Sequence, residues 1–352
     1  MTNFQGLNED IVIHILNRSR VIDLVRFGMT SWLHRHLAKP IIKDRVDAGA
    51  LLKQFFEDDE IPVFRSYLRQ TSTIVSGSAA LQLLDGKSWD STNLDLFVQD
   101  DSRQWALHCW LRERFKWDAL RRRGPSHYFQ AKSVKRVLRF ERECRGVNQS
   151  IHWVVTEHSP IEAILQFNLT CVMNFFTHES AFSLFPVMTF DQRRTFTVGP
   201  YSPSIHDFYN TYEYRGWEVV MPPLTDEDWM PPKVRYIGDA HCWKMENIFP
   251  TLPPLEEGAA VAIEYMHSFQ MIFDPIVSIL FCTLEDKQLK HAYSHSPDQH
   301  VFKFVKYLLE TECTDNSLQI NMKNFLDYNM GQRNVDRLAE AVQCDDDEDD
   351  LA

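Results

Sequence analysis

The chain has 352 residues, 44% of them hydrophobic and 24% charged, which is ordinary usage for a folded chain of roughly two or three units and excludes disorder throughout. Its formal net charge of −12 argues against the whole chain acting as a binder of nucleic acid or anionic membrane, although half of that charge is the run Asp345 to Asp350. Seven scattered cysteines, never spaced as CxxC, give neither a disulfide framework nor a zinc ribbon. They fit a reducing compartment, cytoplasmic or nuclear, and no secretory leader is read at the N-terminus.

In chain order, apolar residues at Leu7, Ile11, Ile15 and Leu16, then at Leu24, Phe27 and Leu37, have helical spacing, with a polar turn at Asn17 to Arg20 and an expected break at Pro40. So short a helical unit buries little core alone and must pack on something. Ser72 to Ser76 supplies β-branched residues before Gly77-Ser78, after which Ala79, Ala80, Leu81, Leu83 and Leu84 begin a helix: a strand, turn, helix unit. Asn93 to Val98 reads as a strand with Leu94, Leu96 and Val98 on one face and Asn93, Asp95 and Phe97 on the other. Arg136 to Glu143 and Gln149 to Thr156 are two further strands, joined by a turn within Arg145-Gly146-Val147-Asn148.

Ser159-Pro160-Ile161-Glu162 has the form of a capping box with Pro at the first helical position, and predicts a helix to about Thr177 with Asn168 and Asn174 on or beside its apolar face. Seven prolines make Val220 to Glu256 extended connecting chain. Ala259 to Leu284 is apolar but carries Glu264, His267 and Asp274, too polar to span a bilayer; it is expected to be a buried helix pair, helical over Glu264 to Leu280. Helices follow over Val301 to Leu309 and within Leu318 to Val342, and self-repulsion keeps Asp345 to Ala352 disordered. His291, His295 and His300 lack a Cys or carboxylate to complete a zinc set, and no metal is assigned to them.

Leu7-Asn8-Glu9-Asp10-Ile11, then Ile15-Leu16, then Asp23-Leu24 resembles the F-box over about forty residues. In that family the apolar helix face docks on the small linker subunit that ties substrate adaptors to cullin ubiquitin ligases. The resemblance implies that Leu7, Ile11, Ile15, Leu16 and Leu24 bind such a partner. Read from the residues alone, the same segment is equally an N-terminal helical hairpin packed on the rest of the chain.

Gly77-Ser78 followed by Asn93-Leu94-Asp95 is similar to the nucleotidyltransferase signature, a Gly-Ser pair and then Asp-x-Asp on the next strand. Glycine permits close backbone approach to a triphosphate, while serine and helix N-terminal amides donate to it. Two carboxylates one residue apart share a strand face and jointly hold a pair of magnesium ions for in-line phosphoryl transfer. More specifically, Val75-Ser76-Gly77-Ser78, the Asn93 to Val98 strand, Thr170-Cys171-Val172-Met173-Asn174 and Ser183-Leu184-Phe185-Pro186 resemble a group of uncharacterised fungal proteins across residues 70 to 190.

The departures from the signature bear on activity. Asn93 is neutral where the first carboxylate is expected, and hard divalent cations prefer charged oxygen. The later strand offers Ser150, His152 and Val154 outward; Glu157 lies just beyond it and Asp90 an odd number of residues ahead of Asn93, so neither substitutes without a bulge or a moved backbone. The site set is therefore Asn93, Asp95 and His152, with Asp95 a weak metal ligand and a degenerate, non-catalytic site favoured. Gly77, Ser78, Lys132, Lys135 and Arg136 are the candidate nucleotide contacts. The alternative is a magnesium-dependent nucleotidyltransferase or sensor of a nucleoside triphosphate; otherwise no cofactor is implied.

Arg103 to Arg145 holds thirteen Lys or Arg against four acids, Arg121-Arg122-Arg123 included, with interspersed aromatics. A solvated helix face is favoured over a nucleic-acid groove, since no base-reading element accompanies it. The expected protein is thus α+β: a mixed-sheet nucleotidyltransferase-like core at 70–200, an F-box-like helical unit at 1–48, a mainly helical part at 258–343 and an acidic tail at 345–352. Its expected function is that of an interaction adaptor, with no membrane partner and nucleic acid disfavoured.

Overall fold

The computed structural model describes residues 8–87, 89, 93–118, 131–200, 203–221, 231–253, 267–273, 276–285, 292–310 and 324–325. Leu7, Asp90, Arg121 to Arg123, His291, most of the Leu318 to Val342 candidate helix and the acidic tail lie outside them. Among the described residues no helix is long and apolar enough to cross a membrane.

The N-terminal unit is helical, with α1 (Glu9–Leu16), α2 (Val21–Thr30) and α3 (Trp32–Arg45). Asn8 caps α1 by accepting from the Asp10 amide, and Ser31 caps α3 by accepting from the His34 amide. Pro40 does not break the chain: it sits inside α3, which continues through it to Arg45. Val12, Leu16, Leu24 and Ala38 form the unit's own small core. Val21 and Val46 enter the main core instead, and Arg26 grips the Asp191 carboxylate with bonds of 2.5 and 2.6 Å. The need to pack on something is met at Gly86, where a Cβ would lie 2.5 Å from Val21 Cγ2 at a φ of +61°, so only glycine lets α2 approach so closely.

Two further helices, α4 (Ala48–Leu52) and α5 (Glu60–Thr71), lead into the sheet. Its first unit is β1 (Ile74–Ser76), the Gly77 turn and α6 (Ser78–Asp85), followed by β2 (Asn93–Gln99), α7 (Gln104–Arg114) and β3 (Lys116–Asp118). The hairpin β4 (Val134–Cys144) and β5 (Val147–Thr156) turns at Arg145 and Gly146, both at positive φ, the backbone that a two-residue hairpin loop requires. The sheet is completed by β6 (Asn174–Phe176), β7 (Ser180–Ser183) and, beyond β8 (Arg194–Phe196), α9 (His206–Tyr214), β9 (Glu218–Val220) and β10 (Val234–Tyr236), by β11 (Trp243–Glu246). Its strand order is β11-β7-β6-β1-β2-β5-β4-β3, mixed because β2 and β5 run parallel while the other neighbours are antiparallel. The architecture is α+β with a mixed sheet, as expected.

Two helix expectations are corrected. The helix opened by Ser159 and Pro160 is α8 (Pro160–Leu165) and stops far short of Thr177. Thr170–Val172 makes a single tight turn, pinned by the Thr170 and Thr195 hydroxyls, and the next residues become β6. Six of the eight residues from Leu169 to Phe176 are apolar and all eight are buried, so the period does not discriminate helix from buried strand. Asn174 therefore lies in a strand, where its amide donates to the Cys171 carbonyl at 2.6 Å, and Cys171 is an inert buried thiol whose pKa burial pushes up to about 12.

The helix expected over Glu264 to Leu280 is instead β12 (Ser268–Ile272) and β13 (Ser278–Leu280), which pair with each other while β12 also pairs with β10. Phe269 and Met271 point inward and Ile272 outward, a period of two that the many apolar neighbours obscure. The remaining described C-terminal elements are β14 (Cys282–Leu284), β15 (Tyr293–His295) and α10 (Gln299–Glu310). The C-terminal part is thus strand-rich before α10, not a helix pair.

One buried carboxyl links these layers. Glu162 of α8 is almost wholly buried, its Oε1 has no partner, and it bonds Thr283 of β14. Burial pushes its pKa from 4.5 up to about 7, outweighing the opposing Thr283 bond and His158. The native chain then holds more protons than the unfolded one between these values. Stability from this group is complete below about 4.5 and is lost as pH rises through about 7. Glu162→Gln is expected to remove that loss, so that urea titrations at pH 5 and 8 show the wild type falling further than the variant, on the order of 1–3 kcal/mol.

Candidate functional site

The sequence-predicted turn and strand meet. β1 pairs with β2 so that Ser76 faces Asp95, and the parallel β5 puts Ser150 beside Asn93 and His152 beside Asp95. Alternation then carries Asn93 and Asp95 to the face on which the Gly77 turn opens α6. Ser76 is held in place by donating to the Asn174 carbonyl at 2.6 Å.

Together Gly77, Ser78, Asn93, Asp95 and His152 line one open cavity of about 180 Å³. Phe97, the next residue on the Asn93 face, is buried edge-on to the ring of Phe167, which lines the cavity. Asp95 is 6% exposed and His152 4%. His152 Nδ1 lies 2.9 Å from Asp95 Oδ1. The other carboxylate oxygen, Oδ2, lies so close over Gly77 that a Cβ there would be 2.4 Å from it. The carboxylate is thus held between the imidazole and the turn. Asn93 Oδ1 accepts from the Ser150 hydroxyl at 2.5 Å, so its amide is oriented by the neighbouring strand.

Three expectations about the site are corrected. Lys135 and Arg136 do not reach the cavity. They lie near the far end of β5, where Arg136 is registered with Val155, and both bind Asp100 just beyond β2, at 3.4 and 3.1 Å. Five residues of strand from Asp95 to Asp100 amount to about 16 Å. Lys132, just before β4, does not line the cavity either. Among the partner residues, Leu16 and Leu24 are buried at 3% and 0% exposure inside the N-terminal unit, because a three-helix unit needs them as its own core; Ile11 and Ile15 stand 49% and 41% exposed.

Sequence reasoning missed the second wall of the cavity. Phe208, Thr211, Tyr212 and Arg215 lie at i, i+3, i+4 and i+7 along α9 and its C-cap, one helix face turned to the site. Phe167, Asn168 and Val172 complete the lining. The Arg215 guanidinium lies over the Trp89 and Tyr212 rings, 5.2 and 5.3 Å from their centroids, which fixes its planar fork. Burial raises the Tyr212 hydroxyl well above its ordinary pKa, so it stays protonated. The helical spacing was present in the sequence, but Tyr209 and Tyr214 make that helix aromatic on several sides and hide which one faces inward.

Several basic residues of the segment pair with acids. Arg103 pairs with Asp101, Arg114 and Arg142 with Glu60, Arg145 with Asp58 and Arg139 with Glu141. Trp110 is buried beneath Arg114. Trp105 of the same segment is exposed.

A two-magnesium transferase centre needs several carboxylates around one point. The described lining offers Asp95 alone, already held by His152 and the Gly77 turn, and among the described residues no group of three His, Cys, Asp or Glu could hold a metal ion. These residues do not fit a metal pair.

No family model and no curated protein matches the sequence. Among solved structures, the chain is similar to a CCA-adding enzyme in complex with CTP, at 13% identity and a TM-score of 0.33 over 49% of this chain and 43% of that one. It is also similar to an apo form of a CCA-adding enzyme, at 11% identity and a TM-score of 0.29 over 47% and 39%. The CCA-adding enzyme of Thermotoga maritima complexed with tRNA aligns at 13% identity and a TM-score of 0.24 over 38% and 29%. The chain spans less than half the length of each.

Proposed function

We propose that residues 70–200 are a nucleotidyltransferase-like, nucleotide-binding domain that holds its ligand without transferring a phosphoryl group. The observation that carries this reading is the convergence of Gly77, Ser78, Asn93 and Asp95 with Arg215 on one cavity. A tight turn at a helix start beside a single cation and several aromatic rings is suited to a phosphate at one end and a planar ring at the other. The lack of fit to a metal pair supports binding over transfer. Calorimetry on the full chain tests it: a nucleotide is expected to bind saturably, with no phosphoryl transfer to any acceptor. Absence of binding at millimolar nucleotide would sink the reading.

A second role, for the N-terminal helices, is favoured by one feature. Ile11 and Ile15 project from α1 as large exposed apolar residues on the segment whose sequence resembles the F-box. In this reading they dock the cullin-ligase linker subunit and the rest of the chain recruits a target. Wild type is expected to co-purify with that subunit and Ile15→Asp to lose it, while melting at the same temperature because Ile15 is outside the core. Equal retention by both proteins removes the adaptor role.

A further inference from the structure

The charge inventory of the cavity narrows the class of ligand. Its described lining has one formal cation, Arg215, and one formal anion, Asp95. A triphosphate brings several negative charges that one guanidinium does not offset, and burying unpaired charge is costly. In nucleotidyltransferase chemistry magnesium supplies the missing positive charge. Here Asp95 Oδ1 is engaged by His152 at 2.9 Å, Oδ2 packs over the Gly77 turn, and the position two residues earlier is an amide, so the strand offers a metal a single carboxylate.

The cavity is open and, at about 180 Å³, encloses only part of a nucleotide-sized ligand. What the cavity has in surplus is apolar and aromatic surface: Phe167, Val172, Phe208 and Tyr212. A phosphate monoester carries about −1.5 to −2 at pH 7, within reach of one bidentate arginine and the donors of the Gly77-Ser78 turn. Arg215 is one helical turn beyond Tyr212, whose ring its guanidinium already covers, and two turns beyond Phe208, so a base stacked on Phe208 leaves a phosphate facing the guanidinium.

We infer that the ligand is a nucleoside monophosphate bound without a divalent cation, its base against the α9 aromatics and its phosphate on Arg215. This rests on the nucleotide-binding reading above.

The test is calorimetry on the full-length chain with AMP, CMP, GMP and UMP in EDTA, and with the four triphosphates in excess magnesium. At least one monophosphate is expected to bind in EDTA, at least about tenfold tighter than its magnesium triphosphate. Arg215→Ala is expected to weaken it about tenfold or more, and Arg215→Lys to restore part of the loss, with circular dichroism melts confirming that both variants fold. Asn93→Asp, which supplies the absent carboxylate, is expected to move preference toward the magnesium triphosphate. Tightest binding of magnesium triphosphate by the wild type, abolished by EDTA, overturns the monophosphate assignment and leaves the nucleotide-binding reading intact. If no nucleotide of either kind binds to folded protein at millimolar concentration, both fall.

Discussion

Gly77→Ala is expected to destabilise the chain by about 2–5 kcal/mol and to abolish ligand binding even in the fraction that folds. Two independent costs add. Gly77 has φ +70° and ψ −145°, a region open almost only to glycine, and forcing another residue into it costs about 1–3 kcal/mol. The new methyl would also fall 2.4 Å from Asp95 Oδ2. The carboxylate has little freedom to move, because His152 holds its other oxygen and β2 is buried between β1 and β5. Overpacking of that kind costs roughly 1–3 kcal/mol. Urea titration measures the first effect and calorimetry the second. A stability within 0.5 kcal/mol or so of wild type, the scatter of neutral surface changes, would mean that the turn and β2 do not meet as described. Asp95→Ala separates the two costs: it removes the clash partner, so Gly77→Ala should cost less in that background than alone.

How far the site could be read from the sequence depended on the range of the rule involved. Strand alternation is a two-residue rule, and it placed Asn93 and Asp95 on one face without any knowledge of the fold. The Gly77-Ser78 turn was legible for the same reason: a glycine between β-branched residues and a helix start has few other uses. The β4–β5 hairpin was announced by Arg145-Gly146, but it is the parallel pairing of β5 with β2, which no local pattern encodes, that puts His152 beside Asp95. The α9 wall was not legible as part of the site, because more than a hundred residues separate it from the β2 residues it faces across the cavity and no local pattern encodes that meeting. Lys135 and Arg136 show the converse error. Their proximity in sequence to the site strands suggested a phosphate role, yet direction along a strand decides which end a residue occupies, and they occupy the wrong one. Leu16 and Leu24 failed through competition: a docking face and a core draw on the same apolar residues, and in so small a unit the core takes the inner ones.

Asp239→Ala is expected to be as damaging as the turn variant, by about 3–5 kcal/mol, although it lies outside the cavity. Arg235, in the middle of β10, has 0% exposure. Its guanidinium donates to Asp239 at 2.5 and 3.0 Å and to the Leu184 carbonyl at 2.9 Å, and it lies over the Phe185 and Phe269 rings. This one side chain fastens the proline-rich third segment to the residues that follow β7. Asp239 also accepts from the Tyr236 and His241 amides, so it organises the turn after β10 as well as neutralising the charge. Removing it leaves a fully buried cation with a single carbonyl partner, and the loss is mainly that of an uncompensated charge. The double replacement Arg235→Met with Asp239→Leu is therefore expected to recover much of the stability, because it removes the charge along with its partner. Denaturant midpoints for the single and double variants decide the matter. If the double variant is as unstable as Asp239→Ala, the pair contributes through the turn and the Leu184 bond, and charge burial is the lesser cause. Nucleotide affinity measured on whichever variants remain folded should be unchanged, since neither residue touches the cavity.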